Sequence, residues 1–240
     1  MNFYYRAVYS YDIPACHYNI LKNSGFDISH LPENDKFERN RLIGLMMKND
    51  PKLTKFLRST TKEIIDYYIE SNAISKDELL LVQYDGFYTT KKLTLKHKKE
   101  HLAHLAQRDF YDVFLFSICR RMYIAKTSDG RLLVKGVPNK YPQLEKLYTI
   151  LLSLNFMSKK SISSGLNFLK NYLLTCQDKE FFLIPVETPK NSFRFYMKEF
   201  GEMVISKKAL KMVSIDEIEK QLYFHIYLEP FFKAIVFDLF

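Results

Sequence analysis

From Phe3 to Ile13 (FYYRAVYSYDI) apolar and polar side chains alternate with a period of two. The pattern predicts a strand with Tyr4, Arg6, Val8, Ser10 and Asp12 on one face and Tyr5, Ala7, Tyr9 and Tyr11 on the other. Pro14 cannot donate to a ladder, so the strand ends at Asp12, and ACHYNILKN reads as a short helix. Gly25 to Asn34 is a loop. A helical period returns in KFERNRLIGLMMKND (36–50) and, after Asp50-Pro51, in a second helix to about Ser71. Its stripe of Leu53, Phe56, Leu57, Ile64 and Tyr68 predicts a face laid on a sheet. LLLVQYDGFYTT (79–90) has two β-favouring flanks around Tyr84-Asp85-Gly86, which predicts a hairpin with Asp85 at its turn.

The segment 91–108 carries six Lys/Arg and one Glu. A helix there would set His97, His101 and His104 on one face, either as a candidate metal site or as part of a solvated basic face that meets a nucleic-acid backbone. Residues 111–137 predict two further strands joined at Ser128-Asp129-Gly130. From about Lys140 the texture changes, which divides the chain into 1–139 and 140–240. YPQLEKLYTILLSL has a helical period, and Ser161 or Ser163 caps a helix running to about Cys176. FFLIPV and FRFYMKEF read as strands. Ser214 to Glu217 is a capping box that opens a last helix with Ile218, Leu222, Tyr223 and Ile226, and Pro230 interrupts the final stretch. The pattern has no internal repeat.

Composition narrows the classes. The 240 residues are 47% hydrophobic and 15% aromatic, a globular balance, and carry a net charge of +9. That charge favours a polyanionic partner such as nucleic acid. Eight Lys/Arg face two acids between Lys36 and Lys62, which suits a phosphate-facing surface. No apolar run is long enough to cross a bilayer and the N-terminus lacks a secretory pattern, so no membrane role is expected. Cys16, Cys119 and Cys176 are isolated, which points to reduced thiols in a cytoplasmic compartment and to no zinc site.

Asp12 and Asp85 are the carboxylates placed to matter chemically. Acids on neighbouring strands can hold two divalent ions ~3.5–4 Å apart, one activating a hydroxyl and one stabilising a leaving pyrophosphate. Mg2+ or Mn2+ suits such oxygen ligands.

Four stretches resemble motifs of family B DNA polymerases, in that family's order. Asp12 to Leu21 (DIPACHYNIL) looks like D-x-x-S-L-Y-P-S-I-I. Lys36-x-x-x-Asn40-Arg41-Leu42-Ile43-Gly44 is similar to K-x-x-x-N-S-x-Y-G. Gln83-Tyr84-Asp85-Gly86 stands where the family has D-T-D-S. Arg120-Arg121-Met122-Tyr123, with the hairpin that ends at Val134-Lys135-Gly136, resembles K-K-R-Y and the strand after it. The resemblance covers roughly residues 5–137. It implies an α+β fold: a polymerase-like palm with an antiparallel sheet and covering helices, reduced fingers at about 22–50, and a smaller mixed α/β thumb-like region over 140–240.

By the same resemblance Asp12 and Asp85 are metal ligands, joined by the Ile13 backbone carbonyl, for two Mg2+ or Mn2+ ions. Lys36, Arg39 and Asn40 meet the incoming nucleoside triphosphate, and His17 stands where the family has the tyrosine that screens the sugar. Arg120, Arg121, Tyr123 and Lys135 hold the primer-template. Gln83 replaces an acid, Ile43 a tyrosine and Arg41 a serine. No exonuclease segment precedes Asp12, so a separate exonuclease or N-terminal polymerase subunit, or synthesis without proofreading, is expected. The end of the chain is similar to clamp-docking peptides, with Phe237, Leu239 and Phe240 as anchors for a sliding clamp; the alternative is a last core-packing segment. The expected activity is template-directed DNA synthesis, in the host cytoplasm if the source is viral. The alternatives are a non-catalytic nucleic-acid-binding polymerase relic, a reverse-transcriptase-like or RNA-synthesising enzyme, and an interaction protein whose charge is solvated surface.

Overall fold

The structure is a computed structural model. It describes residues 3–117, 122–136, 147–149, 151–152, 159–176, 184–186, 192–197, 201–206, 228–231 and 233–234. The architecture is mixed α/β. Among the described residues, an antiparallel sheet of six strands runs in the order Leu79–Gln83, Gly86–Thr89, Tyr4–Asp12, Ala106–Phe116, Tyr123–Thr127, Leu132–Lys135, and a second sheet in the order Ile184–Val186, Ser192–Met197, Gly201–Ser206. By compactness the chain forms one unit of Ala7–Tyr111 and another of Met1–Arg6 with Asp112–Phe240. The boundary expected near Lys140 thus lies inside the second unit.

The unit of residues 7–111 holds most of β1 (Tyr4–Asp12), α1 (Cys16–Asn23), α2 (Lys36–Asn49), α3 (Pro51–Ser71), β2 (Leu79–Gln83), β3 (Gly86–Thr89) and the start of β4 (Ala106–Phe116). The alternation of β1 is broken at Ala7, which has a φ of 56°, yet Asp12 still ends the strand. Asp35 caps α2 by accepting the Glu38 N–H. Asp50 closes α2 and opens α3, where its carboxylate accepts the N–H groups of Lys52 and Leu53 while Pro51 takes the first turn. Leu53, Leu57, Ile64, Ile65 and Tyr68 form the buried stripe of α3 and join Tyr11, Ile13, Ile20, Leu21 and Phe87 in one core. Each such aliphatic side chain contributes about 1.5–3 kcal/mol by leaving water.

Residues 91–105 correct the expectation of a helix, because they run as an irregular segment into β4. Their buried positions include Leu93, Ala103 and Leu105, spacings that suit an extended chain better than a 3.6 period. Side chains of neighbouring elements satisfy the backbone instead. Tyr11 Oη accepts the Leu93 N–H, Asn72 Oδ1 accepts the Thr94 N–H, Tyr67 Oη donates to the Lys96 carbonyl and Asn23 donates to that of Leu102.

In the other unit, β5 (Tyr123–Thr127) and β6 (Leu132–Lys135) form the hairpin expected at Ser128-Asp129-Gly130, with Gly130 at a φ of 86°. Thr127 and Arg131 bonds hold the Asp129 carboxyl down at about 2. The core of this unit joins Leu115, Ile124, Tyr148, Leu169, Leu173 and Phe231. The helix α4 (Lys159–Thr175) begins before Ser161 and Ser163, so those serines lie within it and do not cap it. Two strands of the second sheet, β7 (Ile184–Val186) and β8 (Ser192–Met197), fall in the expected stretches, while β9 (Gly201–Ser206) was not anticipated. The capping box at 214–217 and its helix lie outside the described residues.

Candidate functional site

The register of the sheet brings the two acids to one place. Asp12, at the end of β1, pairs with Gly86, the first residue of β3, and the Ile13 N–H donates to the Asp85 carbonyl at 2.7 Å. Asp85 therefore lies in the β2–β3 turn against the end of β1. Gly86 is required by proximity. A Cβ there would lie 2.3 Å from the Tyr11 carbonyl oxygen and 2.9 Å from Asp12 Cα. The glycine that reads as a turn former in the sequence is what lets β1 and β3 approach closely enough to bring these acids together.

Beyond Asp12 the chain turns at once. Ala15 adopts a φ of 46° and is the N-cap of α1. An alanine in the left-handed region costs about 1–2 kcal/mol, which the surrounding core offsets. The turn brings His17 and Tyr18 to the border of a cleft of about 720 Å³ whose lining also includes Asp12, Ile13, Lys36, Arg39, Asn40, Asp85 and Arg108. Lys36, Arg39 and Asn40 follow at i, i+3 and i+4, the spacing that gives them one face of α2. The expected metal-ligand and triphosphate-binding positions thus border one cavity.

Each cation has its own support. Arg39 is buried, donates to the Glu33 carbonyl at 2.6 Å and lies over the Tyr18 ring at 4.7 Å, while its Nε has no hydrogen-bond partner. Arg39 lines the cleft, and a fixed guanidinium there fits an anionic ligand. Arg108, near the start of β4, donates from Nη1 to Asp12 Oδ2. The pair holds the Arg108 guanidinium above its ordinary range. Sequence reasoning noted Arg108 only as one charge in a basic run. Its pairing depends on β1 and β4 being sheet neighbours, and no local pattern carries that.

Neutral groups complete the lining. Burial lowers His17, and the Arg58 charge lowers it further against the opposing pull of Asp85, so the imidazole is neutral at pH 7. Cys16 is buried, touches Thr61 Oγ1 at 3.3 Å, and is pushed up to about 11 by burial and by the charges of Asp85 and Asp12. The thiol is protonated, which suits packing rather than nucleophilic chemistry. On α3, Lys55, Arg58 and Lys62 border an open groove of about 550 Å³, and Met47 lines both this groove and the cleft.

No family model and no curated protein matches the sequence. Among solved structures, the family B DNA polymerase from the hyperthermophilic archaeon Pyrobaculum calidifontis is similar at a TM-score of 0.47 and 10% identity over 79% of this chain. The chain spans 36% of that polymerase's length.

The remaining expected positions belong to the other unit. Tyr123 is a core aromatic, 4% exposed and stacked on Phe114 with ring centroids 5.1 Å apart. That burial does not suit the expected contact with a primer, because the ring is turned into packing. Lys135 is exposed at the end of β6. Arg120, Arg121, Phe237, Leu239 and Phe240 lie outside the described residues.

The histidines of 91–108 share no helix face. His97 and His104 pack ring to ring at 4.6 Å, the Tyr68 hydroxyl bonds His97 Nδ1, and His101 packs on Tyr67 at 4.8 Å. Among the described residues, no group of three or more His, Cys, Asp or Glu side chains could hold a metal ion. The Asp12/Asp85 pair is a smaller donor set of another kind. Two carboxylates and the Ile13 carbonyl are hard oxygen donors, and Mg2+ binds through one or two carboxylates while drawing its other ligands from water and substrate phosphates. Among the described residues, no helix is long and apolar enough to cross a membrane.

Proposed function

We propose that this chain is a template-directed nucleotidyl transferase of the DNA polymerase kind, with residues 7–111 as its palm and reduced fingers. The observation that carries the reading is the 720 Å³ cleft, whose lining includes Asp12 and Asp85 together with Lys36, Arg39 and Asn40. Acids that can hold divalent cations and bases that can hold a polyphosphate are the two halves of a phosphoryl-transfer site.

Asp12, Asp85 and the Ile13 carbonyl would hold Mg2+ or Mn2+, which would supply Lewis acidity for phosphoryl transfer. Lys36, at the first turn of α2, offers a mobile ammonium to the phosphates. Arg39 offers a guanidinium fixed by Glu33 and Tyr18, so little side-chain entropy is lost when it meets an anion. Asn40 adds amide donors one position on. His17, neutral beside Asp85, packs at the rim where a sugar would lie and withdraws no negative charge from the acids. The groove along Lys55, Arg58 and Lys62 supplies cations for a phosphodiester backbone.

A second reading, a nucleic-acid-binding relic without chemistry, draws on the Arg108–Asp12 ion pair, which occupies one ligand oxygen. One experiment separates the two. Primer extension with Mg2+ or Mn2+ is measured beside primer-template binding by anisotropy, for the full chain and for Asp12→Asn and Asp85→Asn. The expected result is extension by the native chain, loss of extension in each variant, and binding changed by less than about threefold. Extension that survives both substitutions overturns the assignment, and binding without extension in the native chain selects the relic.

A further inference from the structure

The Arg108–Asp12 pair has a geometry that matters for how the site loads. One guanidinium nitrogen meets one carboxylate oxygen, so the contact is single where an Arg–carboxylate fork would use two bonds. The Arg108 side chain is 59% exposed and Asp12 only 22%, so the arginine is the partner that can leave. The lining of the cleft holds Asp12 and Asp85 against Lys36, Arg39 and Arg108, with His17 neutral. Three cationic side chains therefore face two carboxylates in the lining of the cleft. A bare divalent cation entering that field must displace Arg108 from Asp12 Oδ2 and then remain near its charge. A phosphate group reverses both terms, because a guanidinium exchanges a carboxylate for a phosphate oxygen with little loss of hydrogen bonding.

Resting on the reading of Asp12 and Asp85 as metal ligands, we propose that Arg108 is the built-in counter-cation of the site. It occupies Asp12 in the free protein and competes with the divalent ion, so that metal binds weakly alone and is admitted when a phosphate-bearing ligand draws the guanidinium away. Arg108 is a positioning residue, acting on the metal through Asp12.

The test is Mn2+ binding to the intact chain, read from the electron paramagnetic resonance of the free ion, which requires no turnover. Arg108→Gln is expected to bind Mn2+ on the order of five- to tenfold more tightly than the native protein, the yield of removing one charge-assisted contact at a half-exposed site. Arg108→Lys keeps a charge and is expected within about twofold of native. In Arg108→Gln/Asp12→Asn the gain disappears. Equal or weaker Mn2+ binding by Arg108→Gln, with binding still lost in Asp85→Asn, overturns the counter-cation role and leaves the metal site standing. Mn2+ binding that is the same in every variant, Asp12→Asn and Asp85→Asn included, overturns the metal-site reading and the inference with it. Circular dichroism on each variant verifies the fold, and should Arg108→Gln not fold, Arg108→Met carries the same comparison.

Discussion

Asp12 and Asp85 border an open cleft among cations, whereas His97, His101 and His104 pack their rings against Tyr67, Tyr68 and one another. Both stretches offer metal-binding side chains in the sequence. The acids are set by strand register and a close approach at Gly86, on the edge of two strands whose backbone bonds are already made. The histidines belong to a segment without a ladder of its own, whose backbone is held by Tyr11, Asn72, Tyr67 and Asn23 while the imidazole rings fill the space beside Tyr67 and Tyr68. Donor atoms become a site where they border open space; where their rings are packed against neighbouring aromatics, they are used up as structure.

The comparison breaks most severely at Gly86. Gly86→Ala drives a Cβ against the Tyr11 carbonyl and Asp12, and is expected to cost about 3 kcal/mol, with loss of Mn2+ binding. Urea unfolding measures the first and resonance of free Mn2+ the second. A variant with native stability would mean that β1 and β3 are not held at this distance.

Tyr68→Phe probes the other region. The hydroxyl is fully buried and bonds His97, so its removal is expected to cost about 1 kcal/mol while Mn2+ binding at the cleft stays native. Added zinc is expected to leave the melting temperature of the native chain unchanged. A rise with zinc, lost in His97→Ala, would restore these histidines as ligands.

The smallest effect is a pH slope. Burial holds His17 and His101 below the ordinary imidazole range, with the Lys98 charge adding to the effect at His101. Their folded values lie below the unfolded one of about 6.5, so the unfolded chain binds more protons in that window. Stability is therefore highest above it and falls as the solution is acidified through it. His101→Gln should flatten the fall in melting temperature between about pH 7 and about pH 5. An unchanged slope in both His101→Gln and His17→Gln would assign the acid sensitivity to other groups.

Much of the first half of the chain follows from local pattern. Asp50 with Pro51 marks the joint between α2 and α3, and the 3.6 period gives the buried face of α3, because caps and stripes depend on neighbours a few residues away. The Lys36/Arg39/Asn40 face is legible for the same reason. The charge of residues 91–108 was misleading, since Lys and His have no strong preference against an extended path once Tyr11, Asn72 and Tyr67 offer it hydrogen bonds from afar.

The sequence by itself determined the strand that ends at Asp12, the hairpin that carries Asp85 and the basic helix between them, because each rests on residues close in the chain. Only the tertiary structure decided that Gly86 lies against Asp12, that Arg108 pairs with that carboxylate, and that Arg39 is buried with an unanswered donor at the same cleft. Those facts depend on which strands become neighbours and how closely their backbones approach, and sheet register is a non-local property that is settled by the packing of the whole unit.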